Sequence, residues 1–303
     1  MKHFAEALTK AEKVVICVLL SLCVVSCTKD DEPETEMPET VIHVDVSSDP
    51  IQEHVTIHFA PIYKMEPMTR SDLSASGMTR LDVWIFEGET EIAAVHQTSS
   101  DVGFGSVSQN LNKTKTYTLY AIAHKATDAC TLADGIISWP DDKVKESFFY
   151  TTTFSPATAS TLNCAMSRIT GKFTLATTDE VPADVDHVRF VIKDTGTRFN
   201  ATTADPANIT DRVVDFTSIT RKPADGTCSF AFQILSTADT STAFDITATA
   251  YASDNSVIEQ KTFAAVPIRN NYRTTYSGAF FTTSAMSMSF TASDWNDFDT
   301  INF

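Results

Sequence analysis

His54 and His58, in the stretch HVTIHF, have the i,i+4 spacing at which a helix can offer two imidazoles to one zinc ion. Val55, Ile57 and Phe59 alternate around them, and a period of two makes the segment a strand. Residues four apart on a strand are separated by ~13 Å, too far to share a metal. The other reactive groups are equally scattered. Gly103-Phe104-Gly105-Ser106 lacks the lysine of a phosphate-cradling loop and the framing of a nucleophile elbow. Asp294, Asn296, Asp297 and Asp299 gather in DWNDFD without the glycine and distal glutamate that close a calcium loop, and read as a solvated strand end. No acid–base pair, nucleophile triad or metal cage is spaced for catalysis. The expectation is a protein that is not an enzyme, with no catalytic, cofactor or metal residues.

One cysteine is placed for a different chemistry. Lys2, Lys10 and Lys13 precede an apolar run, Val14–Val25, that ends at Ser26-Cys27. The run is too short for a ~30 Å hydrocarbon core, which takes about 20 residues. It has the layout of a secretory signal over residues 1–26. Val24-Val25-Ser26-Cys27 resembles a bacterial lipobox, which implies palmitate-type acylation of Cys27 as the mature N-terminus. Each buried methylene contributes roughly 0.8 kcal/mol, so two or three chains hold stably where one would not. Residues 27–41 then carry acids and prolines with almost nothing to bury, and are expected to form an extended, self-repelling tether. Lys29-Asp30-Asp31-Glu32 resembles the signal that sends Bacteroidales lipoproteins to the outer face of the outer membrane, so lipid-anchored surface display is expected.

The net charge of −16 argues against nucleic acid and anionic membrane surfaces as partners. Of six cysteines, Cys17 and Cys23 fall in the signal and Cys27 is the lipid site, leaving Cys130, Cys164 and Cys228. At most one bridge can form among three, and buried free thiols serve equally well.

The elements that would carry any site are strands. Period-two alternation places Tyr117, Leu119 and Ala121 on one face, and likewise Val188, Phe190 and Ile192; Phe230, Phe232 and Ile234; and Phe244, Ile246, Ala248 and Ala250. Residues 141–149, DDKVKESFF, are the best helix candidate. Residues 80–88 echo 187–194, and 117–129 echo 244–256. Two similar β-sandwiches in tandem account for the echoes, joined near NCAMSRITGKFTL where a new strand starts around Ile169. The domains are drawn at 42–165 and 166–303.

The order of these pieces is familiar: a lipobox, an acidic tether, VTIHFAPIY, MEPMTRSD, LDVWIFEG, YTLYAIAH, MSRITGKFTL and VPIRNNYRTTYSGAFFT. It resembles the Bacteroidales fimbrillin superfamily, the subunits and anchors of type V pili, over essentially the whole chain. The resemblance implies two transthyretin-like β-sandwich domains and a place in a cell-surface fimbrium. It also implies that a trypsin-like protease cuts after an arginine beyond the first strand, releasing lipid and strand together. The emptied groove then takes a strand from another fimbrial subunit. Arg70, followed by Ser71, matches that cleavage position, with Arg80 a second choice. The C-terminal run MSMSFTASDWNDFDTINF is the candidate donor, with Met286, Met288 and Phe290 on one face; the alternative is a last strand tucked into its own domain. A chain that kept lipid and first strand would be a fimbrial anchor. The rival class is a surface glycan-binding lipoprotein, which needs exposed aromatics. Trp84 lies in a strand apolar on both faces and is expected buried, leaving Trp139 and Trp295 as the candidates for exposure.

Overall fold

A computed structural model of the chain describes residues 51–62, 72–237, 241–282 and 289–294. These are almost entirely strand, as the alternation requires. The first half contains β1 (Gln52–Ile62), a one-turn helix at Asp72–Ala75, β2 (Arg80–Glu87), β3 (Thr90–Thr98), β4 (Ser106–Asn112), β5 (Tyr117–His124), β6 (Thr131–Ala133), β7 (Ile136–Ser138), β8 (Ser147–Phe154) and β9 (Thr161–Arg168). The second contains β10 (Thr170–Thr177), β11 (His187–Asn200), β12 (Asp205–Phe216), β13 (Ser229–Leu235), β14 (Thr242–Tyr251), β15 (Val257–Ile268), β16 (Tyr272–Gly278) and β17 (Ser289–Asp294).

In the first half the strand order is β3-β2-β5-β8-β9-β1-β4. β8 and β9 meet only through Phe148–Arg168 and Phe149–Ser167, so the sheet can fold over at that seam. Val55, Ile57 and Phe59 of β1 then share one core with Leu81, Val83 and Ile85 of β2 and with Phe148 of β8. In the second half, β13-β10-β16-β17 faces a sheet of β15, β14 and β11, with β12 along the other edge of β11. Phe173, Phe190, Phe230, Phe232 and Phe263 fill the space between them.

Both halves use the same pairings. β1 is antiparallel to β4 and parallel to β9, and β10 is antiparallel to β13 and parallel to β16. β2 lies between β3 and β5, and β11 lies between β12 and β14. The segments that echo in sequence contain the equivalent strands β2 and β11, and β5 and β14.

A third core joins the halves. Only Ile169 separates β9 from β10, and it is buried with Trp84, Ile122, Trp139, Phe149, Phe199 and Leu235. The hairpin β6–β7 belongs to the first half of the chain, yet β7 pairs with Phe199 and Asn200 at the far end of β11. Residues 130–144 thus cover the outer face of β2, β5 and β8, which explains why RLDVWIF is apolar on both sides.

The helix expected over 141–149 is not formed. A 3₁₀ turn at Pro140–Asp142 leads instead into β8. Phe148 enters the first core and Phe149 the middle one. Adjacent residues buried on opposite sides suit a strand between two cores, whereas a helix would turn one of them to solvent. Trp139 is also buried, with its indole N–H donating to Ser147 Oγ at 3.0 Å, so it is no exposed platform.

Packing is tightest where β10 begins. A Cβ on Gly171 would lie 2.5 Å from the Arg269 carbonyl oxygen and 2.6 Å from Ile268 Cγ2. Since backbone cannot yield there cheaply, Gly171→Ala is expected to cost about 1–3 kcal/mol in urea denaturation. Gly88→Ala, with nothing within 4 Å of its Cβ, is the comparison; any loss there reflects its positive φ alone.

Candidate functional site

β1 is bounded on both sides. Its first part pairs with β4 from Gln52–Asn112 to His58–Ser106, and its second with β9 from Thr56–Thr161 to Ile62–Ser167. Val55, Ile57 and Phe59 are fully buried beneath it. His54 Nδ1 lies 2.9 Å from Asn110 Oδ1, and His58 Nδ1 lies 2.8 Å from Ser106 Oγ. The two histidines therefore sit along one strand, each bonded to β4. After the strand, Leu73 and Met78 return the chain to the same core. Taking out β1 would leave a slot between β4 and β9 lined by an open apolar core.

Cys27, Arg70 and Ser71, the expected lipid and processing residues, lie outside the described residues, as do Trp295, Met286 and Met288. Arg70 falls between β1 and the Asp72–Ala75 turn. Arg80 is a poor cleavage site: it is held within β2, opposite Thr98 of β3 and His124 of β5, and its Nη1 donates to Thr127 O at 3.3 Å. A protease needs extended, unpaired backbone.

At the other end, β17 pairs with the edge of β16, from Tyr272–Asp294 to Ser277–Ser289. The last described strand thus lies on a sheet of its own chain, as in the alternative to a donor role. The chain before it is fastened. Asp179 accepts the backbone N–H groups of Phe280, Phe281 and Thr282 at 2.7–2.9 Å, and Lys261 Nζ donates to the Ala279 and Thr282 carbonyls. Phe280 and Phe281 are buried in the second core.

Sequence reasoning missed a buried polar cluster on the outer face of β2. Asp82 Oδ2 accepts from His124 Nε2 at 2.7 Å and from the Cys130 backbone N–H at 2.7 Å, while Oδ1 meets His96 Nδ1 at 2.8 Å. Cys130 Sγ is 3.3 Å from His124 Nε2. The three residue types suggest a catalytic triad or a zinc site, and the hydrogen-bond pattern around His124 suits neither. Ala126 N–H donates to His124 Nδ1, so that nitrogen carries a lone pair and the proton sits on Nε2. In a triad, acid and nucleophile take opposite nitrogens; here both converge on one. A metal on Nε2 would move the proton to Nδ1, against the Ala126 N–H. Burial and the Asp82 charge also push the Cys130 thiol up, away from the reactive thiolate. The cluster is a structural pin. An acid between Leu81 and Val83 in a doubly buried strand was its only sequence signal.

Cys130, Cys164 and Cys228 are all buried and free. Burial pushes the Cys164 thiol up to about 12 and raises Cys228 as well.

A second buried network marks the seam between the halves. Glu146 takes Arg168 Nη2 at 2.9 Å and Lys125 Nζ at 2.7 Å, and Arg168 Nη1 reaches Asn271 Oδ1 at 3.0 Å.

A model described as a family of unknown function, DUF6562, matches residues 64–300. The chain belongs to this family. No curated protein matches it in sequence. Among solved structures, one from Bacteroides thetaiotaomicron, described as a candidate adhesin, has TM-score 0.50 and 10% identity over 80% of this chain and 98% of its own. Another from the same species, described as a candidate polysaccharide-binding protein, has TM-score 0.51 and 12% identity over 80% and 96%. The fimbrial anchor protein Mfa2 from Porphyromonas gingivalis aligns at TM-score 0.47 and 11% identity over 80% and 98%. At these identities the likeness to the two Bacteroides structures is one of fold. The DUF6562 chain thus shares its fold with the candidate adhesin from Bacteroides thetaiotaomicron, consistent with its fimbrillin-like motifs.

Two expectations follow. Asp82→Ala strands the His124 and Cys130 N–H donors and should cost about 3–5 kcal/mol by urea denaturation, with Asp82→Asn intermediate. Iodoacetamide at pH 8 should leave all three thiols unlabelled in the folded chain and label them in urea, read by peptide mass. Since unfolded thiols ionise near pH 9 and folded Cys164 only at about 12, the stability that Cys164 contributes is present below pH 9 and falls as pH rises toward 12.

Proposed function

We propose that this protein is a structural and adhesive subunit of a cell-surface fimbrium, built of two tandem transthyretin-like β-sandwiches behind a lipidated Cys27 and an acidic tether over 27–41. It reaches the outer face of the outer membrane as a lipoprotein. A trypsin-like protease cuts between Arg70 and Ser71, and residues 27–70 leave with the lipid. The slot between β4 and β9 then accepts a strand from another subunit, and the C-terminal run beyond Thr282 is the donor. The role is assembly and adhesion, without catalysis.

The observation that carries this reading is the position of β1. It is the first element of its core, paired on both edges, and followed by the segment bearing Arg70. Losing Val55, Ile57 and Phe59 removes about 1.5–3 kcal/mol apiece, comparable in sum with the whole stability of a domain. A chain without β1 is therefore driven to take up a replacement. The fastening at Asp179 supports the donor assignment: residues past Thr282 can leave without disturbing Phe280 or Phe281. A second reading, a fimbrial anchor that keeps lipid and β1, draws support from β17 sitting on its own sheet, which offers no strand to a neighbour.

Intact mass and N-terminal sequence of the protein from its native surface decide between them. A chain starting at Ser71 without lipid is expected for a subunit, and one starting at acylated Cys27 in assembled fibres would make it an anchor. In parallel, residues 71–303 should be destabilised when expressed alone and recover on adding a peptide spanning 52–62. Full stability without the peptide would remove the strand-exchange mechanism.

A further inference from the structure

Arg212 is a buried cation with no carboxylate partner among the described residues. It projects from β12 across the gap to β13, where Nη1 donates to Gln233 O at 2.6 Å, and Nη2 donates to Val144 O at 3.3 Å. Both partners are neutral carbonyls. Burial pulls its pKa down to about 10, with no acid to offset the loss of water. The guanidinium lies in a cleft of about 660 Å³ between β12, the edge of β13 and residues 141–145, within the size range of small-ligand sites.

The charges around it are unevenly committed. Asp215 is held by Arg189 at 2.7 Å, Asp211 by Lys193, and Asp142 by Arg198 at 3.4 Å. Lys143 and Lys145 are exposed on the rim and meet no acid among the described residues, which leaves three cations against Asp141. The lining holds four aspartates to three cations, but Asp142, Asp211 and Asp215 are each bridged to a cation outside it, so Arg212, Lys143 and Lys145 are the cations left to meet a ligand. Val144, Val214 and Phe216 provide an apolar flank.

We propose that this cleft binds an acidic sugar, with the sugar carboxylate facing Arg212 and the Lys143 and Lys145 rim, and the ring against the apolar flank. An added β-strand fits less well, because Arg212 already occupies the Gln233 carbonyl in the middle of the β13 edge. The assignment gives the protein a ligand site separate from the β1 slot and independent of how it assembles.

The test is calorimetric titration of the full chain with tri-galacturonate, its uncharged methyl ester and hexaglutamate at low salt. Saturable binding of tri-galacturonate is expected, with the ester and the peptide weaker by roughly tenfold or more. Arg212→Gln should abolish it, and Lys143→Ala with Lys145→Ala should weaken it roughly two- to fivefold and flatten its salt dependence. Should Arg212→Gln not fold, as read by circular dichroism, Lys143→Glu with Lys145→Glu decides, since both side chains are exposed. Binding lost in that variant supports the site. No binding by the intact chain, binding indifferent to these substitutions, or equal binding of the ester would overturn the proposal. Preference for hexaglutamate would overturn the assignment to a sugar.

Discussion

The middle core holds the molecule in one piece. The two halves of the strand order are connected by a single residue, Ile169, and it is buried among Trp84, Trp139, Phe149 and Phe199, which come from both halves. This contact requires β2, β5 and β8 to be apolar on their outer as well as their inner faces. It also requires any polar group on that face to be fully bonded, because an unpaired one would cost about 1–3 kcal/mol. Asp82 is there, and four other residues meet its needs or those of its partner: His96, His124, Ala126 and Cys130. A constellation resembling catalytic machinery is thereby explained by packing.

The same logic separates what is fixed from what can move. The Arg168–Glu146–Lys125 network and the middle core lock the seam. β1 is held by ladders on both edges, but its side-chain contribution is concentrated in Val55, Ile57 and Phe59. At the far end, Asp179 clamps the backbone just before the chain runs on to β17. The cleft at Arg212 lies elsewhere, between β12, the edge of β13 and residues 141–145.

Much of this was legible in the sequence wherever period two was clean. HVTIHF, YTLYAIA, CSFAFQI and FDITATAY are strands with the expected residues buried, because alternation at a half-buried surface has one solution. The failures cluster in the middle core. Residues 141–149 read as a helix because β8, buried on both faces, loses its alternation, and Trp139 read as exposed because its burial comes from strands distant in sequence. Nothing local in the sequence marks Arg212 as buried opposite β13.

The sequence by itself determined the all-β class, the equivalent places of β2 and β11 and of β5 and β14, and the switch of strands at Ile169. Those are local properties, set by side-chain period and turn chemistry within a few residues. The tertiary structure decided that β6–β7 pairs with β11, that Asp82, His124 and Cys130 meet without forming a reactive site, and that Arg212 lines a cleft. Each depends on residues tens of positions apart brought together by burial, and a strand buried on both faces carries no alternation to mark it.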